Sequence, residues 1–279
     1  MKKLILAAFT ALSICACTKP VTLVNQYPDI FPDYRDVTIP AEIAPLNFNL
    51  KGDYSKVFVK VSGKHGSPVS AKGSYAGFSI KKWHKLTSQN IGDTLTFTVA
   101  GKGKNGWEQF VSFKVAVSKY SLDDYGMTYR KFAPGYETYS KIGIYQRDIH
   151  SFRETPIIEG NLVPGQCVGC HTANATDPSQ FLFHVRGKHG ATVMHTEDGN
   201  KTLNTKTDKT ISNAVYSYWH PSGQYIAHSN NIIRQLFWTG NNDRYIEVYD
   251  EASDVIIQDV KSDKILSSPL LMTNDFETY

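Results

Sequence analysis

Short runs of alternating apolar and polar residues dominate the chain from Phe48 onward. In the first half they are bounded by Gly, Ser, Asn or Pro and cover 57–61, 77–80, 94–99 and 110–117. Alternation with a period of two is typical of strands with one buried face. Strands at this spacing predict an all-β protein that begins with an immunoglobulin-like β-sandwich over 46–119. Trp83, His84 and Trp107 lie in this segment, and we expect all three to serve packing.

The second half repeats a longer pattern. Strand-like runs at 143–148, 181–185 and 225–229 recur at intervals of roughly 40 residues, which is the repeat length of a propeller blade. Between two of these strands, His220-Pro221-Ser222-Gly223 has the residues of a tight chain reversal. The run 218–229, followed by 245–250, resembles the repeat of TolB-like proteins. With this resemblance, three repeats, 120–160, 165–210 and 211–270, predict an incomplete TolB-like β-propeller over 120–279. A closed ring needs at least about four blades, so we expect a truncated protein or, alternatively, a ring completed by another chain.

The amino terminus indicates the compartment. Lys2 and Lys3 precede an apolar run, 4–14, that is too short to span a bilayer, as in a secretory signal. Ile14-Cys15-Ala16-Cys17 then resembles the lipobox of bacterial lipoproteins, with Cys17 as the acylated residue, because Cys15 would place bulky Ile14 in the small-residue position. We therefore predict a signal peptide over 1–17 and an extended, Pro-rich tether over 18–45. The expected location is the cell envelope, lipid-anchored on the periplasmic side or at the cell surface; the alternative is a soluble secreted protein.

Composition excludes several classes. With 41% hydrophobic and 20% charged residues the chain is globular rather than disordered. The net charge of +4 includes two lysines of the signal segment, so the mature chain is too nearly neutral for nucleic acid to be a partner. No Gly-x-Ser-x-Gly, His-Glu-x-x-His or phosphate-binding Gly loop is present, so the sequence favours no hydrolytic enzyme.

The candidate chemistry lies at Cys167-Val168-Gly169-Cys170-His171. In c-type cytochromes the two thiols of Cys-x-x-Cys-His form thioethers with haem, and the adjacent imidazole binds the iron. With 4 Cys and 9 His in the chain, chance would place this motif about 0.002 times per sequence. The motif therefore predicts haem c held by Cys167, Cys170 and His171.

Two other interpretations of the motif stay open. A Cys167–Cys170 disulfide suits the compartment but makes no use of His171. Zinc would need a fourth ligand, and no second Cys-x-x-Cys supplies it. If haem is bound, a second axial ligand is expected from Met194, His189 or His195, all shortly after the motif. The usual roles of such residues are core packing for Met194 and an exposed hairpin position for a histidine.

The chain also resembles a known family. The resemblance rests on 37–48, 132–137 with 144–147, the motif 167–171, 189–192 and 203–210. These segments look like a group of Bacteroidetes lipoproteins that carry a TolB-like propeller of PD40 or WD40-like type and are often labelled cytochrome c biogenesis-like. The family's members are longer than this chain. The resemblance implies an envelope lipoprotein with a propeller.

Together these observations predict an envelope lipoprotein whose propeller carries one covalent c-type haem, for electron transfer or haem-protein maturation. Its expected partners are the membrane, through the lipid anchor, and a protein of the envelope. The alternative is a haem-free propeller that binds a protein or glycan through aromatic residues of its turns, namely Tyr216, Tyr218, Trp219, Phe237 and Trp238.

Overall fold

The computed structural model describes residues 21–121, 126–132, 142–162, 166–175, 177–187, 189–239 and 244–273. The predicted signal segment and its Cys17 lie outside these ranges. Strands make up most of the secondary structure, which confirms the predicted all-β class. The chain divides between Ser121 and Leu122 into two compact units. Among the described residues, no helix is long and apolar enough to cross a membrane.

Within residues 21–121, the first unit contains nine strands and one helix. They are β1 (Val21–Leu23), β2 (Ile30–Phe31), β3 (Thr38–Ile39), β4 (Asn49–Leu50), β5 (Val57–Ser62), β6 (Val69–Gly73), α1 (Ile80–Ser88), β7 (Thr94–Gly103), β8 (Gly106–Gln109) and β9 (Phe113–Val117). The main sheet has the order β1-β8-β7-β5-β6, with β9 beside the other half of β7 and β3 beside β9. Strands β2 and β4 form a separate pair. The segment expected to be a tether therefore belongs to this unit from Val21 onward.

One face of the main sheet forms the core of the first unit. Val57, Val59 and Val61 alternate with exposed residues along β5, and all three are at most 1% exposed. They belong to one apolar cluster with Trp83 and Leu86 of α1 and with Ile30 of β2. The sheet is thus covered on this side by α1 and the β2–β4 pair. The immunoglobulin-like assignment of this arrangement stays a prediction.

The strand predicted over 77–80 is wrong, because a helix begins there. Ser79 occupies the N-cap position and α1 runs from Ile80. Trp83, Leu86 and Thr87 are its buried residues, and a spacing of three or four residues places them on one helical face. The buried Trp83 ring stacks on Phe78, with 5.6 Å between the ring centroids. This burial favours a helix over a strand.

The described residues of the second unit form three antiparallel sheets in chain order. The first sheet contains β10 (Gly126–Lys131), β11 (Gly143–Asp148) and β12 (Glu154–Glu159). The second contains β13 (Cys167–Asn174), β14 (Asp177–Arg186), β15 (Ala191–Thr196) and β16 (Gly199–Leu203). The third contains β17 (Ala214–Trp219), β18 (Tyr225–Thr239), β19 (Arg244–Asp259) and β20 (Ile265–Leu266). In each sheet the strands pair in the order of the chain, and each sheet falls within one of the three predicted repeats.

The second sheet is buried on both faces. Along β14, Phe181, Phe183 and Val185 pack with Ile142 and Ile144 of the first sheet's side. The intervening Leu182 packs with Met194 and Leu203, and with Trp219 and Ile226 of the third sheet. Successive side chains of a strand point to opposite faces. The three sheets therefore stack face to face, with the second in the middle.

Candidate functional site

The Cys-x-x-Cys-His motif lies on β13, at a local irregularity of the second sheet. Gly169 pairs with His184 and Thr172 pairs with Leu182, so Cys170 and His171 together oppose the single residue Phe183. Cys170 has a φ of 51°. Two residues against one form a β-bulge, which redirects side chains at a sheet surface. The bulge gives Cys170 and His171 different surroundings.

Cys170 lies beside a guanidinium group. Arg186, at the end of β14, lies beside Cys170 and beside Tyr216 of the third sheet. Burial acts to lower the pKa of Arg186, but the neighbouring Cys170 and Tyr216 raise it, and the net shift is upward. Tyr216 also has a positive φ, 43°, at a register shift in β17. The Arg186 guanidinium thus lies beside the irregularities of two strands, β13 and β17.

His171 faces the first sheet. Its Nε2 lies 2.9 Å from the hydroxyl oxygen of Thr128 on β10. Its ring centroid lies 6.0 Å from that of Phe181. Burial lowers the pKa of His171, so the imidazole is neutral at neutral pH, which is the form that binds metals.

Cys167 and the backbone of Gly169 complete the motif. Cys167 is partly buried and packs against the apolar cluster between the first and second sheets. Both thiols are free, with no disulfide between them. At Gly169 a Cβ atom would lie 3.4 Å from the guanidinium carbon of Arg130. A second guanidinium therefore lies close to the motif at Gly169.

The candidate second ligands lie in three different places. Met194 is fully buried, in the cluster with Leu182 and Trp219, on the opposite face of the sheet from the His171–Phe181 contact. His195 lies on β15 with its ring centroid 5.0 Å from Phe181. His189 is exposed in the turn between β14 and β15. The structure thus brings His195 to the same face as His171, with Phe181 of the central strand between them.

The aromatic residues proposed for a binding face include both exposed and buried side chains. Tyr218 is 75% exposed and Tyr216 47%, so both are accessible. Trp219 is 2% exposed and belongs to the core between the second and third sheets, so its assignment to the binding face is wrong. The side chains of Phe237 and Trp238 lie outside the described part of the chain.

Sequence reasoning did not connect the motif with the residues that surround it. Arg186, Tyr216 and Thr128 come from three different strands, and no local pattern links them to the motif, although Tyr216 was predicted as an aromatic residue of a binding face. A signal did exist for buried histidines, since Phe181-Leu182-Phe183-His184-Val185 and Tyr225-Ile226-Ala227-His228-Ser229 each place a His at the fourth position of corresponding runs. His184 is 7% exposed and His228 1%. Both lie between the second and third sheets, by their strand alternation with Leu182 and Ile226.

In the ranges that the structure describes, no three His, Cys, Asp or Glu side chains converge as a metal site. Comparison of the chain with protein-family models, with curated proteins and with solved structures found no match. The similarity to TolB-like propeller lipoproteins therefore stands as an expectation from the sequence, beside the geometry of the motif.

Proposed function

We propose that this protein is an envelope lipoprotein whose second unit carries one c-type haem on Cys167, Cys170 and His171, for electron transfer or haem-protein maturation. The observation that carries the proposal is the motif itself, with two free, partly exposed thiols and a neutral imidazole within five consecutive residues. Thiols and a neutral imidazole are the groups that covalent haem attachment requires.

The surroundings of the motif suit the same ligand. Cys167 and Cys170 would hold the two thioether bonds, and His171 would provide the axial nitrogen now hydrogen-bonded to Thr128. The guanidinium groups of Arg186 and Arg130 lie beside Cys170 and Gly169, and a guanidinium binds carboxylates such as the two that haem carries. Bound haem would supply one-electron redox chemistry. The protein's own contribution is attachment, ligation and charge.

The propeller and the anchor belong to the same proposal. Three antiparallel sheets of consecutive strands, stacked face to face, support the assignment of the second unit to part of a TolB-like propeller. The lipobox-like sequence ending at Cys17 supports attachment to the membrane.

The test is covalent haem in protein matured by a host with cytochrome c assembly machinery. We expect haem to remain on the chain through a denaturing gel, and Cys167→Ser or Cys170→Ser to weaken or abolish its retention. His171→Ala should alter the absorbance spectrum. His65→Gln is the matched control, because it changes an exposed histidine of the first unit and should leave both haem attachment and the spectrum unaltered. Matured protein without haem absorbance would overturn the proposal.

A second candidate is a redox-active thiol pair, favoured by the contact between Arg186 and Cys170. In thiol–disulfide exchange, one thiolate attacks a partner disulfide, the second thiol resolves the mixed disulfide, and two protons and two electrons leave the Cys pair. This candidate predicts a polypeptide mass lower by two protons after oxidation. It also predicts slower exchange in Arg186→Gln than in Arg130→Gln. A haem-free protein with an inert thiol pair would leave the protein- or glycan-binding module as the function.

A further inference from the structure

A basic and aromatic groove lies on the first unit, on the face of the main sheet that points away from the core. Its volume is ≈ 690 Å³.

 Such a volume is in the range of small-molecule sites, about 300–1,000 Å³. Phe58 and Lys72 are paired across β5 and β6 and are exposed, whereas Val57, Val59 and Ala71 beside them are buried.

The groove has a strongly one-sided charge. Three lysines line it, Lys72, Lys102 and Lys104, and no Asp or Glu is among its lining residues. None of the three ammonium groups forms an ion pair within the part of the chain that the structure describes. The carboxylate of Glu108, next to the groove in sequence, accepts a hydrogen bond from Tyr54 instead. The groove therefore attracts anions.

Two aromatic rings lie among these charges. Trp107 lines the groove, and the Lys72 ammonium lies 5.7 Å from its ring centroid. Phe58 is 37% exposed on the same face. Trp107, which we expected to serve packing, thus also has a partly exposed ring in this groove. Exposed ring faces offer flat apolar surface to a ligand.

We infer that this groove binds an acidic oligosaccharide. The flat carbon–hydrogen faces of sugar rings pack on aromatic rings, and carboxylate or sulfate substituents pair with ammonium groups. An acidic peptide would gain most from pairing with a strand edge, but this site lies on a sheet face. A membrane surface would be met by a protruding patch rather than by a groove. The inference concerns the first unit and does not depend on the haem proposal.

The test is calorimetric titration of the full chain with a short oligogalacturonide, its methyl-esterified form and a heparin-derived oligosaccharide. We expect at least one acidic oligosaccharide to bind and the esterified form to bind roughly tenfold more weakly or not at all. Trp107→Ala and the double variant Lys72→Gln with Lys102→Gln should each weaken binding roughly tenfold. Binding should also weaken as salt is raised.

Lys82→Gln, an exposed lysine on α1, is the matched control and should bind like the unaltered protein. Thermal unfolding of each variant shows whether its fold is kept. The inference is overturned if neither acidic oligosaccharide binds, if the esterified form binds equally well, or if folded groove variants bind unchanged. Binding of polyglutamate or anionic vesicles in place of both oligosaccharides would overturn it as well.

Discussion

Thr192 donates its hydroxyl hydrogen to the main-chain oxygen of Ala214, 3.1 Å away, and so joins the second sheet to the third. The same hydroxyl oxygen lies 2.9 Å from Nδ1 of His184. A threonine has only one hydrogen to donate, so His184 donates from Nδ1 to Thr192. The buried imidazole is thereby fixed in one orientation between two sheets.

This arrangement predicts a pH-dependent stability. Burial, with a smaller contribution from Arg186, lowers the pKa of His184 from 6.5 to about 4. Between these values the unfolded chain binds the proton more readily, so the free energy of unfolding rises with pH. The contribution, about 3 kcal/mol, is complete above about pH 6.5 and is lost as the pH falls towards 4. Urea unfolding across this range measures it.

Replacing the His184 imidazole shows how much of the pH dependence of stability comes from this side chain. His184→Asn keeps an amide donor near Thr192 but does not titrate, so the slope of unfolding free energy against pH should become shallower. His189→Asn, at an exposed turn, should leave the slope as it is. Equal slopes in the unaltered protein and in His184→Asn would contradict this prediction.

Met194 predicts a second effect on stability. Its side chain is fully buried between the second and third sheets, so Met194→Ala should lower the free energy of unfolding by about 2–5 kcal/mol. Met194→Leu, which nearly conserves volume, should cost less than about 1.5 kcal/mol. Denaturant unfolding distinguishes the two. Should Met194→Ala prove neutral, the packing between these sheets is not as described.

Gly223 predicts a third effect on stability. It has a φ of 70°, and a Cβ there would lie 3.0 Å from the side-chain nitrogen of Asn174. Gly223→Ala should therefore lower stability by about 1–2 kcal/mol. Asn174→Ala removes the close neighbour, so Gly223→Ala should cost less in that background than in the unaltered protein, as measured by thermal unfolding. Equal losses in the two backgrounds would count against the Asn174 contact.

The proposed lipid anchor predicts a fourth outcome. In a bacterial host that acylates lipoproteins, Cys17→Ala should release the protein from the membrane fraction or leave its signal uncleaved, since the apolar run 4–14 cannot hold it in a bilayer. Cys15→Ala should stay membrane-bound. Detergent partitioning that is the same for Cys17→Ala and the unaltered protein would exclude acylation at Cys17.

The alternation of apolar and polar residues was enough to place many strands, because a strand with one buried face has an apolar residue at every second position. The run 143–148 coincides with β11, and 57–61 lies within β5. The alternation pattern predicted the wrong element at 77–80. Phe78 and Ile80 alone match a strand, but together with Trp83 and Leu86 they match a helix. At the candidate site, the motif was visible because its five residues are consecutive. Arg186 and Tyr216 were not, because strand register and bulges bring them to Cys170.

The stacking of the three sheets has a consequence for folding. Each sheet is built from consecutive strands, and the described core contacts join the second sheet to its neighbours in sequence. Such nearest-neighbour arrays have stabilities that are nearly sums of local terms, and their folding can start in one module and spread. The contacts also close short loops, so this unit has a lower contact order than a sandwich of interleaved strands. The hairpin of β14 and β15 contributes to both apolar clusters. We therefore expect folding of this unit to start at the hairpin and to continue into the first and third sheets.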